Sequence, residues 1–296
     1  MLLIAAFIWG TAFVAQSSAA ESIEPFTFTT ARSFVGALFL VAVIYIKKLF
    51  TKSEIKEKQN YSFKQLMLGG SLCGAAMFIA SNLQQMGITA YPDGVASSGR
   101  AGFITAMYVV LVALCGIFSG KKLHPAVLIA GGVAVLGMYL LCLSDGVSGI
   151  YLGDVLVFLC AVGFTAHILI VDKFSFLDGI KLSCIQFLVC GTLCFICALI
   201  FESPDLSGLL DAWFPIFYAG VMSSGIAFTL QIVGQKYAEP AVASIVMSLE
   251  SVFAGLGGWV ILNERLSSRE LLGCVIVFAA VILAQTPQFK IEKTVA

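Results

Sequence analysis

Hydrophobic positions along this chain fall in ten long runs, and most charged and turn-forming groups lie in the gaps between them. A helix that crosses a bilayer needs about 20 mostly apolar residues. On that basis the runs predict helices over 2–19, 25–46, 66–90, 94–118, 125–143, 151–171, 181–201, 212–236, 240–262 and 270–285. Several gaps carry turn signals: Glu24-Pro25, Tyr91-Pro92-Asp93-Gly94, Ser144-Asp145-Gly146, Ser203-Pro204-Asp205 and Glu239-Pro240. No gap is long enough to hold a soluble domain. The first run lacks a basic leader and its counterpart near 156–171 is plainly internal, so it reads as a retained helix rather than a cleaved signal.

One stretch occurs twice, 147 residues apart: 83–97 reads LQQMGITAYPDGVAS and 230–244 reads LQIVGQKYAEPAVAS. Leu83/Leu230, Gln84/Gln231, Gly87/Gly234, Val95/Val242, Ala96/Ala243 and Ser97/Ser244 match without a gap. The first copy joins runs three and four, the second joins runs eight and nine. Five runs per half is an odd number, so the second half enters the membrane upside down. The expected fold is an all-α membrane protein of ten transmembrane helices in two inverted five-helix repeats. The repeats span 1–143 and 149–287, and 288–296 form a cytoplasmic tail. Inverted repeats are a construction of carriers that open alternately to each side.

Composition agrees. The 296 residues are 59% hydrophobic and 11% charged, with mean hydropathy +0.99. Soluble domains carry about 25% charged residues. Net charge is zero and no basic cluster with interleaved aromatics occurs, so no nucleic-acid partner is expected. The nine cysteines lie in apolar runs, and Cys190, Cys194 and Cys197 share a helical face. They read as small packing residues: partner histidines and a polar surround for a metal are missing. No cofactor and no metal are expected.

Charge orients the runs. With a cytoplasmic N-terminus, the inner connections hold Lys47, Lys48, Lys52, Lys56, Lys58, Lys64, Lys121, Lys122, Lys173, Lys181, Lys236, Lys290 and Lys293. The outer connections hold only Arg265 and Arg269, and Arg32 and Arg100 remain inside runs. Lys and Arg kept on the cytoplasmic side set topology. The chain is therefore expected in the plasma or inner membrane with both termini cytoplasmic.

An ionisable side chain inside a span is costly and is a functional candidate by default. Arg32 and Arg100 each lie about seven residues in from an outer helix end, roughly 10 Å deep. Their planar forks suit a carboxylate or phosphate, although each could instead snorkel outward. Glu250 lies near the middle of the ninth run. It could pair with an arginine, receive a substrate amine or carry a proton. His167 is the fourth candidate, with a helix–helix hydrogen bond as its other reading. Uncharged polar groups extend the set: Trp9 and Thr11 in the first run, Asn82 and Gln85 with Thr89 in the third, Gln231 with Gln235 in the eighth. Gln186 aligns with Arg32. These groups could face a cavity or act as interhelical glue. No phosphate loop, nucleophile elbow or catalytic cluster appears, so no enzyme is expected.

The sequence resembles the EamA-type transporters of the drug/metabolite transporter superfamily. Trp9-Gly10-Thr11-Ala12-Phe13 is similar to that family's opening, and Arg32-Ser33-Phe34 to its second-span pattern. Leu249-Glu250-Ser251-Val252-Phe253-Ala254 and Leu262-Asn263-Glu264-Arg265-Leu266 are similar to its ninth-span elements. Two positions depart from the pattern: Ser251 replaces a proline, and Lys121-Lys122 replaces an acidic-basic pair. The resemblance implies a ten-helix carrier that exports, less often imports, small metabolites such as amino acids. Its partners would be the substrate, the lipid bilayer and a proton or other coupling ion, in a monomer or homodimer. The other reading is an integral-membrane interaction or regulatory protein with no transport cycle.

Overall fold

The computed structural model describes residues 1–20, 22–50, 61–92, 97–120, 123–142, 150–261 and 267–295, without the side chains of 17, 97–100, 141–142, 255, 257–261, 270 and 285–295. All described secondary structure is helical. The first three runs form α1 (Leu2–Ala20), α2 (Pro25–Phe50) and α3 (Phe63–Thr89). The fourth is broken into α4 (Ser97–Thr105) and α5 (Tyr108–Phe118), and the fifth forms α6 (Pro125–Cys142). The sixth and seventh form α7 (Leu152–Lys173) and α8 (Gly179–Phe201), followed by a short connecting helix, α9 (Leu206–Asp211). The eighth comprises α10 (Trp213–Tyr218), a π-helical segment (Ala219–Ala227) and α11 (Phe228–Gly234). The ninth is broken into α12 (Pro240–Met247) and α13 (Leu249–Ile261), and the tenth is α14 (Ser268–Val295). Residues 288–295, expected as a tail, continue α14.

Among the described residues, seven helical segments are long and apolar enough to cross a membrane. Shorter apolar helices at Pro125–Leu140, Pro240–Ala254 and Leu271–Ala284 stand where the other three runs lie. Helix starts follow local chemistry. Ser62 and Gln65 form a reciprocal capping box on α3: Gln65 N–H donates to Ser62 Oγ at 3.2 Å, and Ser62 N–H to Gln65 Oε1 at 2.7 Å. Asp178 caps α8 through the N–H groups of Ile180 and Lys181, and Pro240 opens α12.

The outer faces of the helices are strongly apolar, while several charged and polar groups lie inside. Phe118 is 87% exposed and Leu38 71%, while Arg32, Glu250, Gln84, Gln85, Gln186 and His167 are buried. Only an apolar solvent accommodates that arrangement, because water would be lost from the polar groups and gained by the apolar ones.

The closest helix pairs join the first five runs to the last five: α6 with α14, α3 with α7, α2 with α8, α3 with α8, and α1 with α13. Small residues make these seams. A Cβ on Gly10 would lie 2.6 Å from Phe253 Cβ and 2.7 Å from the Glu250 carbonyl oxygen. The interleaving brings α1, α2, α3, α4, α5, α7, the π segment, α11, α12 and α13 around one central space.

Candidate functional site

That space is a cleft with about 540 Å³ of atom-free volume, part of it continuous with the exterior. Helix α1 presents Trp9, Phe13 and Gln16 to it, spaced i, i+4 and i+7 and therefore on one face. Arg32 enters from α2, and Ser81 and Gln84 from α3. Thr105 and Tyr108 flank the α4–α5 break, Met247 and Glu250 the α12–α13 break. Phe164 and Ile168 on α7, Ser223 in the π segment, and Phe228 and Gln231 on α11 complete the wall. Aromatic rings and convergent polar groups together are the usual make-up of a small-molecule pocket.

Two formal charges of opposite sign meet here. Arg32 is buried, reaches Gln16 Oε1 at 3.5 Å and has its guanidinium 5.5 Å from the Phe28 ring centre. Glu250 is buried and accepts a hydrogen bond from the Tyr108 hydroxyl at 3.0 Å on Oε1. It also sits in the first turn of α13, where the helix dipole favours an anion. Neither has an oppositely charged partner among the described side chains. A buried ion without a counter-charge is expensive, which sets these two side chains apart from the other polar groups of the cleft.

The broken helices shape this site. Met107 N–H bonds to Ile104 O and Ser251 N–H to Ser248 O, each at 3.1 Å and three residues back rather than four. The Ser248 hydroxyl donates to Ile245 O at 2.7 Å and competes with the backbone ladder. The ninth-run break thus forms without a proline at 251. In the eighth run, Phe228 N–H reaches Ser223 O, five residues back. Such π turns cluster at functional sites. Gly36 lets α2 close on this segment: a Cβ there would lie 2.8 Å from Gly220 O.

Of the sequence candidates, Trp9, Arg32, Gln231 and Glu250 line the cleft. Trp9 also lies over Phe228, ring centres 4.7 Å apart. The Gln231 amide is held by Gln235 Oε1 at 3.0 Å. Thr11 points away, donating to Ile8 O at 2.9 Å and meeting the Tyr218 hydroxyl at 2.5 Å. Asn82 donates to Phe78 O at 2.7 Å and to Cys194 Sγ at 3.1 Å, facing α8. Gln85 donates to the Gln16 carbonyl at 3.2 Å and braces α1 from behind. His167 pairs with Gln186 Oε1 at 3.0 Å and stands edge-on to Phe228. Arg100 lies on α4 with its side chain outside the described residues.

The α3 residues missed by sequence reading, Ser81 and Gln84, are each one position before Asn82 and Gln85. One residue is about 100° of helix rotation, and the polar pattern alone did not say which stripe faces the cleft. Gln84 Nε2 donates to Thr105 Oγ1 at 3.2 Å. Gln16 was legible through its i+7 relation to Trp9. Tyr108 had no signal, since tyrosine is unremarkable in a membrane helix.

Comparison with known proteins bears on the whole chain. An "Uncharacterized transporter" of Archaeoglobus fulgidus is 27% identical over 291 residues, 95% of this chain and 83% of its own. The "Uncharacterized transporter YoaV" of Bacillus subtilis is 22% identical over 285 residues, 93% of this chain and 92% of its own. A solved crystal structure shares the fold, with TM-score 0.74, 18% identity and coverage of 95% of this chain and 98% of that one. The EamA-like transporter family pattern matches residues 1–143 and again 151–286. With apolar faces turned outward and polar groups turned inward on helices of membrane length, the twice-matched chain belongs to the EamA-like transporter family of the drug/metabolite transporter superfamily, as a multi-pass membrane protein.

Proposed function

We propose that this protein is a secondary transporter that exports small zwitterionic metabolites, such as amino acids, across the plasma or inner membrane by alternating access. The carrying observation is the pair Arg32 and Glu250, buried in one cleft without counter-charges among the described side chains. Arg32 takes the carboxylate of the substrate, with Arg100 as a second candidate from its depth on the fourth span. Glu250, oriented by Tyr108, takes the amine. Gln231 and Gln84 add hydrogen bonds, and Trp9, Phe13, Phe164 and Phe228 wall the apolar part. A proton or other ion couples the cycle.

The chain is read as ten spans in two inverted repeats, 1–143 and 149–287, with 288–296 at the cytoplasmic C-terminus and the N-terminus on the same side. The helix pairs support this. Exchanging the halves carries α3–α7 onto α1 with α10–α11, and α3–α8 onto α2 with the π segment. It carries α1–α13 onto α7 with α4–α5, and leaves α2–α8 and α6–α14 in place.

The test is flux of labelled amino acids in proteoliposomes. Arg32→Gln and Glu250→Gln should each lower flux by at least tenfold, equivalent to about 1.4 kcal/mol. Unchanged flux in both variants would remove these assignments. No flux of any amino acid in the wild type would remove the substrate class.

A further inference from the structure

A carrier with sequence repeats invites the picture of one repeat rocking against the other, with substrate between them. The packing argues against it. The seams α2–α8, α3–α8 and α6–α14 each join one half to the other along their length. At the α3–α8 seam a Cβ on Gly74 would lie 2.7 Å from Gln186 O, and on Gly70 2.4 Å from Ile185 Cγ2. At the α6–α14 seam a Cβ on Gly137 would lie 2.8 Å from Val277 N. Interfaces so close, backbone against side chain and backbone, do not slide by increments, since packed cores are bistable rather than continuously deformable. The sequence halves cannot part without tearing them.

The contacts divide the molecule differently. One group is α2, α3, α8 and the α10–π–α11 span: α2 and α3 from the first half, the others from the second. Its seams include the α2–π contact at Gly36 and the α8–α2 contact, where a Cβ on Gly191 would lie 3.0 Å from the Phe34 ring. The other group is α4–α5, α6, α12–α13 and α14, again two spans from each half. Directly between the groups, the contact of note is α3 with α4, bridged by the Gln84–Thr105 hydrogen bond. Helices α1 and α7 belong to neither alone: α1 packs on α13 and on the α10–π–α11 span, α7 on α3 and on α4–α5.

We propose that the bodies that move in this protein are these two mixed bundles, hinged on α1 and α7, and not the two sequence repeats. This deepens the transport reading and rests on it for its purpose. The cleft is the gap between the bundles: Arg32, Gln84 and Gln231 stand on one, Thr105, Tyr108 and Glu250 on the other. The positive charge is therefore on one moving body and the negative charge on its counterpart. A ligand carrying both charges bridges them and draws the bundles together. A ligand carrying one charge engages only one bundle and leaves the gap unclosed. Selection for zwitterions then comes from closure itself.

Distances between pairs of spin labels on lipid-facing side chains test the division, with unnatural amino acids as attachment points so that the native cysteines stay. Met86 with Leu199 and Ile129 with Ile282 are exposed pairs that cross the halves within a bundle. Leu68 with Ile129 and Leu199 with Leu271 are exposed pairs within a half that cross between bundles. In nanodiscs without ligand, the first two pairs should each give one narrow distance, and the last two broad or double distributions differing by about 5 Å, one helical turn. The reverse pattern, or four narrow distances, overturns the proposal. A labelled protein that elutes as aggregate is replaced by one labelled a turn away on the same face. L-leucine, its methyl ester and N-acetyl-leucine are then added in turn. Narrowing of the between-bundle pairs by leucine alone supports bridging, and equal narrowing by all three overturns it. Moving bundles with no response to any of the three sink the amino-acid substrate and leave the division standing.

Discussion

At the scale of single residues, the proposed transport function separates groups that would receive a ligand from groups that hold helices. Tyr108 is of the first kind, since its hydroxyl engages Glu250 across the start of the broken ninth span. Tyr108→Phe removes a hydrogen bond to a charged group, worth about 1.5–3 kcal/mol. Flux at limiting substrate should fall roughly tenfold or more while the variant, though lowered in melting temperature, still purifies as a folded, monodisperse protein; unaltered flux would mean that Glu250 needs no orientation. Asn82 is of the second kind, tied to Phe78 O and Cys194 Sγ. Asn82→Ala should lower stability by about 0.6–1 kcal/mol and leave the KM of transport unchanged, so a raised KM would return Asn82 to the substrate. Arg32 and Glu250 were visible in the sequence because charge is so rare in these runs. The cleft-facing stripe of α3 was not visible, because Ser81 and Gln84 differ from Asn82 and Gln85 only by rotation about the helix axis.

At the scale of elements, two features govern the site: close helix seams and broken helices. Gly10 lies where α1 meets the backbone of α13 at Glu250 itself. Gly10→Ala forces the helices apart or strains them, at about 1–3 kcal/mol. It should lower the melting temperature and reduce flux together, because the displaced backbone is the one that carries Glu250; flux at the wild-type level would uncouple that seam from the site. The break at Ser248 makes the opposite kind of prediction. Proline inside a continuous helix costs about 3 kcal/mol or more. At 251 the helix is already interrupted, and the bond lost is the three-residue-back contact to Ser248 O. Ser251→Pro should therefore cost clearly less than ~3 kcal/mol in thermal unfolding, and a full loss would show that the ladder there is intact in the membrane. Sequence pattern placed these elements within a few residues but treated the fourth, eighth and ninth runs as continuous. Hydrophobic runs report length and average burial, and are blind to which backbone carbonyl each N–H selects.

At the scale of the whole molecule, the proposed inverted arrangement carries a topological prediction. Lysines crowd one set of connections, so a green fluorescent protein fused after Ala296 should fluoresce in the cytoplasm, and alkaline phosphatase inserted at Ser203 should be active outside. Inactive phosphatase at Ser203 would reverse the orientation. At that same end, Glu202 accepts hydrogen bonds from the N–H groups of Phe26 and Thr27 at 2.7 Å each, while Glu24 accepts one from Ser203 N–H at 3.1 Å. The two halves are thus tied by carboxylates at the facing ends of α2 and α8, which agrees with α2 and α8 moving as one.

The sequence by itself determined the solvent, the helical class and the approximate place of the ten long helical runs. Apolar length admits only one kind of backbone satisfaction in a bilayer, and charge in such a setting marks its own importance. It also carried the family resemblance that the matches to residues 1–143 and 151–286 bear out. Tertiary structure alone decided which polar stripes meet, that Glu250 is held by Tyr108 from a helix 142 residues earlier, and that the halves interleave rather than stand side by side. Those outcomes depend on helix rotation and on small-residue seams between distant segments, and neither leaves a period in the chain for pattern reading to find.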